Sequence, residues 1–310
     1  MKTLIRNIGT LVTGDIDRPL AIRAMKRFLV EWHAASGIPD VMPDITPRPE
    51  RVAVIGAGPA GLSVARELAV KGYQVTVYDA LPYGGGTMLI GVPAFRLPRE
   101  AIEMDVRLVE RLGVRFVYNT TVGVDVAFED LQAEYDAIAI CAGAMNPVVL
   151  DVPGADLEGV EYGVDFMRKA NLGEPLTVGR DVVVIGGGYT AMDCSRTSLR
   201  YGAERVAIVY RRTRSELVVD EEELGETERE GVRMEFLASP LEIIGENGRV
   251  KAVRFIRNRL GEPDASGRRS PIPIPGSEFV IPADTVIPAV GQAADLSFLP
   301  AETNFEIGRG

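Results

Sequence analysis

Apolar residues in this chain gather into short runs that alternate with stretches of helical length. RVAVI (51–55) leads into a glycine turn, a helical stretch and a second apolar run that ends in Tyr78-Asp79-Ala80. DVVVI (181–185) opens the same order again, and its second run ends in Tyr210-Arg211-Arg212. Strand, glycine turn, helix, strand is the plan of a dinucleotide-binding βαβ unit, so the chain is expected to be α/β with two doubly wound, Rossmann-like units. These are its internal repeats, alike in architecture rather than residue for residue. Ahead of them, Ala21, Met25, Phe28, Leu29 and Trp32 share one helical face, with Arg23, Lys26, Arg27 and Glu31 on the other. Asp17 before Pro19 offers a start for that helix, and Gly37 to Pro49, with four prolines, reads as a surface linker. After the second unit, residues 240–258 alternate around Glu246-Asn247-Gly248, which predicts a hairpin. The segment 259–280, rich in Gly, Pro and Ser, reads as a loop before the apolar stretch 283–292.

Composition narrows the function. At 310 residues with 46% hydrophobic and 25% charged positions, the chain suits a two-domain globular enzyme. A formal net charge of −10 disfavours nucleic acid and anionic membrane surfaces. No apolar run has membrane-spanning length, and MKTLIRNIGT lacks the features of a signal peptide, so cytoplasm is the expected location. Cys141 and Cys194 lie far apart, which excludes a CxxC redox pair. His33, with no neighbouring ligand or acid in sequence, reads as a packing or surface residue, and no metal site is expected. Cys194 reads as a buried small residue, and the run Asp220–Glu230 as a solvated acidic helix.

The glycine turns carry the chemistry. Gly56, Gly58 and Gly61 form G-x-G-x-x-G between strand and helix, with Pro59 and Ala60 at the helix start. The first glycine permits the tight turn, the second lets backbone approach a pyrophosphate, and the third allows close helix–strand packing. Helix N–H groups then face the phosphates. Asp79 follows Gly61 by 18 residues, the position of an acid that accepts from ribose hydroxyls and repels a 2′-phosphate. That suits FAD or NAD equally. The second unit has Gly186, Gly188 and Ala191, with Tyr189 and Thr190 between them, but no acid at the ribose position. Arg211, Arg212 and Arg214 stand there instead, where guanidinium groups can grip a 2′-phosphate and select NADP(H). The alternative is an arginine cluster paired with Asp220–Glu223. Two unlike nucleotide sites in one chain are most simply joined by hydride transfer from nicotinamide to flavin, which needs no nucleophile or acid–base pair from the protein. No catalytic side chain is therefore expected.

With these motifs the chain resembles the small (beta) subunit of NADPH-dependent glutamate synthase and its relatives. Those include the large subunit of NADPH-dependent ferredoxin oxidoreductase and the amino-terminal part of dihydropyrimidine dehydrogenase. AIRAMKRF (21–28), the two βαβ units and GGGTMLIGVPAFRLPRE (84–100) carry the resemblance, which covers roughly residues 15–300. It implies that Gly56, Gly58, Gly61 and Asp79 hold the FAD pyrophosphate and ribose, and that Gly86, Leu89, Gly91 and Arg96 line its inner half. Val122 would contact adenine through backbone. Cys141-Ala142-Gly143-Ala144 matches the family's A-T-G-A return strand, so Ala142 and Gly143 would approach the flavin, as would Gly291 in the A-V-G-Q turn (289–292). It further implies that the NADP domain is inserted in the FAD domain. The expected divisions are an arm and linker (1–50), a first FAD part (51–152), the NADP(H) domain (153–286) and a return to the FAD domain (287–310).

The sequence also departs from the family. Tyr189 stands where the family usually has Asn, which makes it a packing residue or a lid over the nicotinamide. No cysteine precedes position 141, so the chain supplies no iron–sulfur ligands of its own, and an electron-accepting subunit or iron–sulfur protein is the expected partner. The sequence to Gly310 contains no Gly-Asp segment of the kind that meets the flavin pyrophosphate and ribityl in the family. Its loss would cost flavin affinity by ~100-fold. The expected function is thus an NADPH-dependent FAD oxidoreductase and electron-transfer subunit. The alternative is a non-catalytic NADP-binding subunit without stable flavin.

Overall fold

A computed structural model describes residues 22–264 and 267–300 of the chain. Asp17, Pro19 and Ala21 lie outside the described residues, as do the last ten positions. The chain divides into two units, residues 1–44 and 45–310. In the first, helix α1 (Ile22–Ser36) presents Met25, Phe28, Leu29 and Trp32, all exposed. The chain turns after Ser36 so that His33 Nε2 meets Asp40 Oδ1 at 3.0 Å. The histidine therefore has an acid partner, seven residues on, that was not expected.

The second unit holds two parallel sheets built to one plan. The first contains β1 (Arg51–Ile55), followed by α2 (Pro59–Val70) and β2 (Gln74–Tyr78). Helices α3 (Thr87–Ile90) and α4 (Arg99–Arg111) lead to β3 (Arg115–Val117), and α5 (Phe128–Glu134) to β4 (Ala137–Ile140). The strand order is β3-β2-β1-β4, all parallel. Strand β1 is apolar from Val52 to Ile55 because both of its faces are covered there. Val54 points into a core with Leu62, Ala65, Val77, Val106 and Val109, while Ala53 and Ile55 meet Phe128, Leu131 and Tyr135 on the other side.

After β5 (Asn146–Pro147) and α6 (Gly163–Leu172) the plan repeats. It runs through β6 (Asp181–Ile185), α7 (Tyr189–Arg200), β7 (Arg205–Tyr210), α8 (Glu221–Arg229) and β8 (Arg233–Phe236). An antiparallel sheet of β9 (Ala238–Glu246), β10 (Arg249–Pro263) and β11 (Arg269–Pro282) intervenes before β12 (Thr285–Pro288) joins β6. The second parallel sheet therefore has the order β8-β7-β6-β12, which matches the first strand for strand. Val182 and Val184 of β6 face the helical core, where Phe166, Met192 and Leu224 are buried. Val183 and Ile185 face the antiparallel sheet through Ile243, Val253 and Phe255. The chain leaves β12 through β13 (Gln292–Ala293), which pairs antiparallel with β5.

The predicted hairpin forms: Asn247 and Gly248, at φ 54° and 80°, make a two-residue turn between β9 and β10. The expected loop at 259–280 does not. It is mostly strand, with Leu260 opposite Pro271 and Asn258 opposite Pro273. Strand β11 lies at the sheet edge, where a proline costs no ladder hydrogen bond, so a composition that signals a loop is compatible with strand. The acidic run also departs from expectation. Asp220 caps α8 by accepting from the Glu223 N–H, but Glu223 and Glu230 turn inward to the buried Arg196.

Candidate functional site

Both glycine turns are shaped by the strand that returns beside them. Gly56 has φ +104°, and a Cβ there would fall 2.3 Å from the carbonyl oxygen of Cys141, just beyond β4. Gly186 has φ +155°, and its Cβ would meet the Ala289 carbonyl, just beyond β12, at the same 2.3 Å. By contrast, a Cβ on Gly58 would come no closer than 3.8 Å to other atoms, and one on Gly188 no closer than 4.0 Å. The first glycine of each motif thus accommodates the protein, and the second leaves backbone open to a ligand. A Cβ on Gly61 would lie 1.8 Å from the Gly56 carbonyl, and Ala191 is fully buried, so the third position serves helix–strand packing.

The first turn opens on a cleft of about 820 Å³. Among the residues expected to bind, Gly56, Gly58, Pro59, Ala60, Asp79, Gly86, Val122, Ala142 and Gly143 line it. Asp79 accepts from the Ala57 N–H at 2.6 Å and the Leu81 N–H at 2.8 Å. Burial raises its pKa, against the pull of those two bonds. Asp295, Ser297 and Phe298 line the same cleft and were not anticipated. Leu89 is not in the wall; it packs on Gly85, behind it. Cys141 is in the wall, but burial raises its thiol pKa, which disfavours the reactive thiolate.

The second turn opens on a cavity of about 650 Å³ lined by Gly186, Gly188, Thr190, Arg211, Arg212 and Gly291. Gly291 thus stands at this cavity rather than at the first cleft. The three arginines have different surroundings. Arg211 is exposed, whereas Arg212 is 2% exposed. Its Nη2 donates to Asp264 Oδ2 at 2.6 Å and its Nε to the Arg269 carbonyl at 2.7 Å. Arg214 turns away to Glu228 at 2.6 Å and to Glu221 at 3.0 Å; the second of these lies in the acidic run 220–223 held open from sequence, the first beyond it.

A third cavity of about 290 Å³ lies between the other two. It shares Thr87, Ile90 and Met145 with the first cleft and Gly163, Val164, Thr190 and Gln292 with the second. Gly91, Arg96 and Tyr189 also line it. The Tyr189 hydroxyl donates to Asp220 Oδ2 at 2.9 Å, with the Arg96 guanidinium 5.5 Å from its ring centre. Arg96 donates to Asp193 at 2.7 Å and sits 3.2 Å from Glu223, which fastens the 91–98 segment to α7 and α8. Next to it, the Phe95 ring lies 3.8 Å below Arg200 and 4.9 Å below Arg196. Burial pushes the Asp193 carboxyl up to about 6, more than Arg96 lowers it.

Two dinucleotide-type turns, each opening on a cleft that shares wall residues with one chamber, define a two-nucleotide oxidoreductase architecture. The sequence profile of the pyridine nucleotide-disulphide oxidoreductases matches residues 50–310, and the chain belongs to that family. It is 42% identical over 320 residues to the beta subunit of NADP(+)-dependent formate dehydrogenase from Moorella thermoacetica, covering 96% of this chain and 45% of that protein. To the small chain of NADPH glutamate synthase from Escherichia coli K12 it is 37% identical over 301 residues, covering 93% and 62%. The chain therefore spans about half the length of the curated relatives it matches. Its fold is shared with FprA of Mycobacterium tuberculosis, solved with NADPH, at TM-score 0.68 and 24% identity over 79% of this chain and 71% of that one.

Proposed function

We propose that the first cleft holds FAD, the second cavity holds NADPH, and the chain passes a hydride from NADPH to FAD and electrons onward to a partner. In this reading the first parallel sheet with its return at β13 is the FAD domain, and the second is the NADP domain inserted within it. The observation that carries the proposal is the 290 Å³ chamber with one wall in each site, where two rings could meet. When bound there, the flavin and nicotinamide supply the redox chemistry themselves.

The chain's residues do the positioning. Asp79 keeps lone pairs for ribose hydroxyls, and the first N–H groups of α2 face the pyrophosphate from behind the open Gly58. At the other site, the start of α7 offers the same surface beside Gly188, with Arg211 at the ribose end. Ile90, Val164 and Met167, all buried, give the chamber an apolar wall against which a ring could pack. Tyr189, tied to Asp220, stands at its edge as a lid.

Two relatives of this chain are named as subunits, a formate dehydrogenase beta subunit and a glutamate synthase small chain. Those names support a hetero-oligomer, in which we propose an electron-accepting subunit or iron–sulfur protein as the partner and cytoplasm as the location. No helix among the described residues is long and apolar enough to cross a membrane. The experiment is the visible spectrum of the protein reconstituted with FAD, followed under anaerobic conditions. Flavin bands that bleach with NADPH but poorly with NADH are expected. A protein that takes up no FAD, or whose bound flavin NADPH leaves oxidised, would overturn the reading.

A further inference from the structure

We propose that Arg268, carried by the β10–β11 hairpin, is a specificity-determining residue of the second nucleotide site. It would grip the 2′-phosphate together with Arg211, while Arg212 positions the hairpin instead of touching the ligand; this rests on reading the site as one for NADP(H). Arg211 and Arg268 both line the 650 Å³ cavity, although 56 positions separate them in sequence. The hairpin that brings them together is fastened to the end of β7 at several points. Asn258 Nδ2 donates to the Arg211 carbonyl at 3.0 Å, which fixes the backbone of the first arginine. Arg212 spends its buried guanidinium on Asp264 and the Arg269 carbonyl, one residue on each side of the loop. Arg269 Nε donates to Glu216 Oε1 at 2.7 Å, which ties down the far side.

The loop itself is closed over Asp264. The Asp264 N–H donates to the Arg268 carbonyl at 2.7 Å, and the Gly267 N–H donates to the Asp264 carbonyl at 2.9 Å. The backbone of Arg268 is thereby held from both sides while its residue forms part of the cavity wall. Two arginines in the wall of one pocket suit a doubly charged phosphate, since each guanidinium supplies a planar pair of donors. A ribose carrying only hydroxyls gains little from them.

The test uses the full chain and two fragments of the dinucleotide, 2′,5′-ADP and 5′-AMP, titrated by calorimetry. The wild type should bind 2′,5′-ADP more tightly. Arg268→Ala should weaken 2′,5′-ADP by about tenfold or more and leave 5′-AMP unchanged, with Arg268→Lys restoring part of the loss. If the wild type prefers 2′,5′-ADP and Arg268→Ala lowers neither affinity, or both equally, this inference falls and the NADP(H) reading stands. If the wild type has no preference, both fall.

Discussion

At the scale of single residues, the glycines of one motif do opposite work, and substitution separates them. Gly56→Ala would drive a methyl into the Cys141 carbonyl at a backbone angle that side chains rarely adopt. A loss of about 3 kcal/mol or more in urea unfolding is expected. Gly58→Ala meets only an ordinary contact, Gly86 at 3.8 Å, at φ −75°, so it should unfold within about 1 kcal/mol of wild type and yet bind FAD more weakly. Equal unfolding midpoints for the two variants would contradict this division. The arginines divide similarly. Arg212→Met removes a buried partner of Asp264 and should cost about 2–4 kcal/mol, whereas Arg211→Ala, at an exposed position, should change stability by no more than ~0.5 kcal/mol. The sequence made the placement of Gly56, Gly58 and Asp79 legible because it is local, set by a strand, a turn and a helix in succession. It could not separate Arg211 from Arg212, because burial at the end of β7 is decided by a hairpin more than 50 residues away.

At the scale of elements, the ion pairs of α7 and α8 join the segment 91–98 to the helices of the second sheet. Asp193 is the carboxyl among them that burial holds above its ordinary range. Because its folded pKa, about 6, exceeds its unfolded value, its contribution to stability is complete at low pH and is lost as pH rises through 6. The window runs from about pH 4 to pH 6. Measured against Asp193→Asn, which stays neutral, the stability of the wild type should decline by about 1 kcal/mol between pH 5 and pH 7. A difference that stays level over that range would show that Asp193 is ionised throughout. The acidic composition of 220–230 signalled a helix, and the helix is there, but not that Glu223 and Glu230 would be turned inward by Arg196 on another element. Strand β11 escaped notice for a related reason: proline and glycine content is a local signal, and tolerance of proline at an edge is a property of the assembled sheet.

At the scale of the molecule, two parallel sheets of identical strand order lie in one chain, each closed by a returning strand that abuts the first glycine of its motif. The α/β class and both nucleotide turns were readable because each βαβ unit is contiguous. The chamber between them was not, since its walls come from segments as far apart as Thr87 and Gln292. Tyr189 gives this scale a test. With its hydroxyl tied to Asp220 at the chamber edge, Tyr189→Phe should leave NADPH binding nearly unchanged while altering the rate of flavin bleaching in stopped flow. A variant that loses NADPH affinity without a change in that rate would make the tyrosine a binding residue instead of a lid.

The pairing of β5 with β13 sets Asn146 directly opposite Ala293, at the two places where the chain crosses between the sheets. Residues facing each other in an antiparallel pair have Cα atoms only about 5 Å apart. Everything between them, from the chain's departure to its return, is therefore a loop in the topological sense, however large and well folded. Such a segment can be lifted out and replaced by a few residues, or exchanged for a relative's, with its cut ends already side by side. Evolution and protein engineering thus have the same point of access: the second parallel sheet is expected to exchange as a cassette while the first keeps its own register.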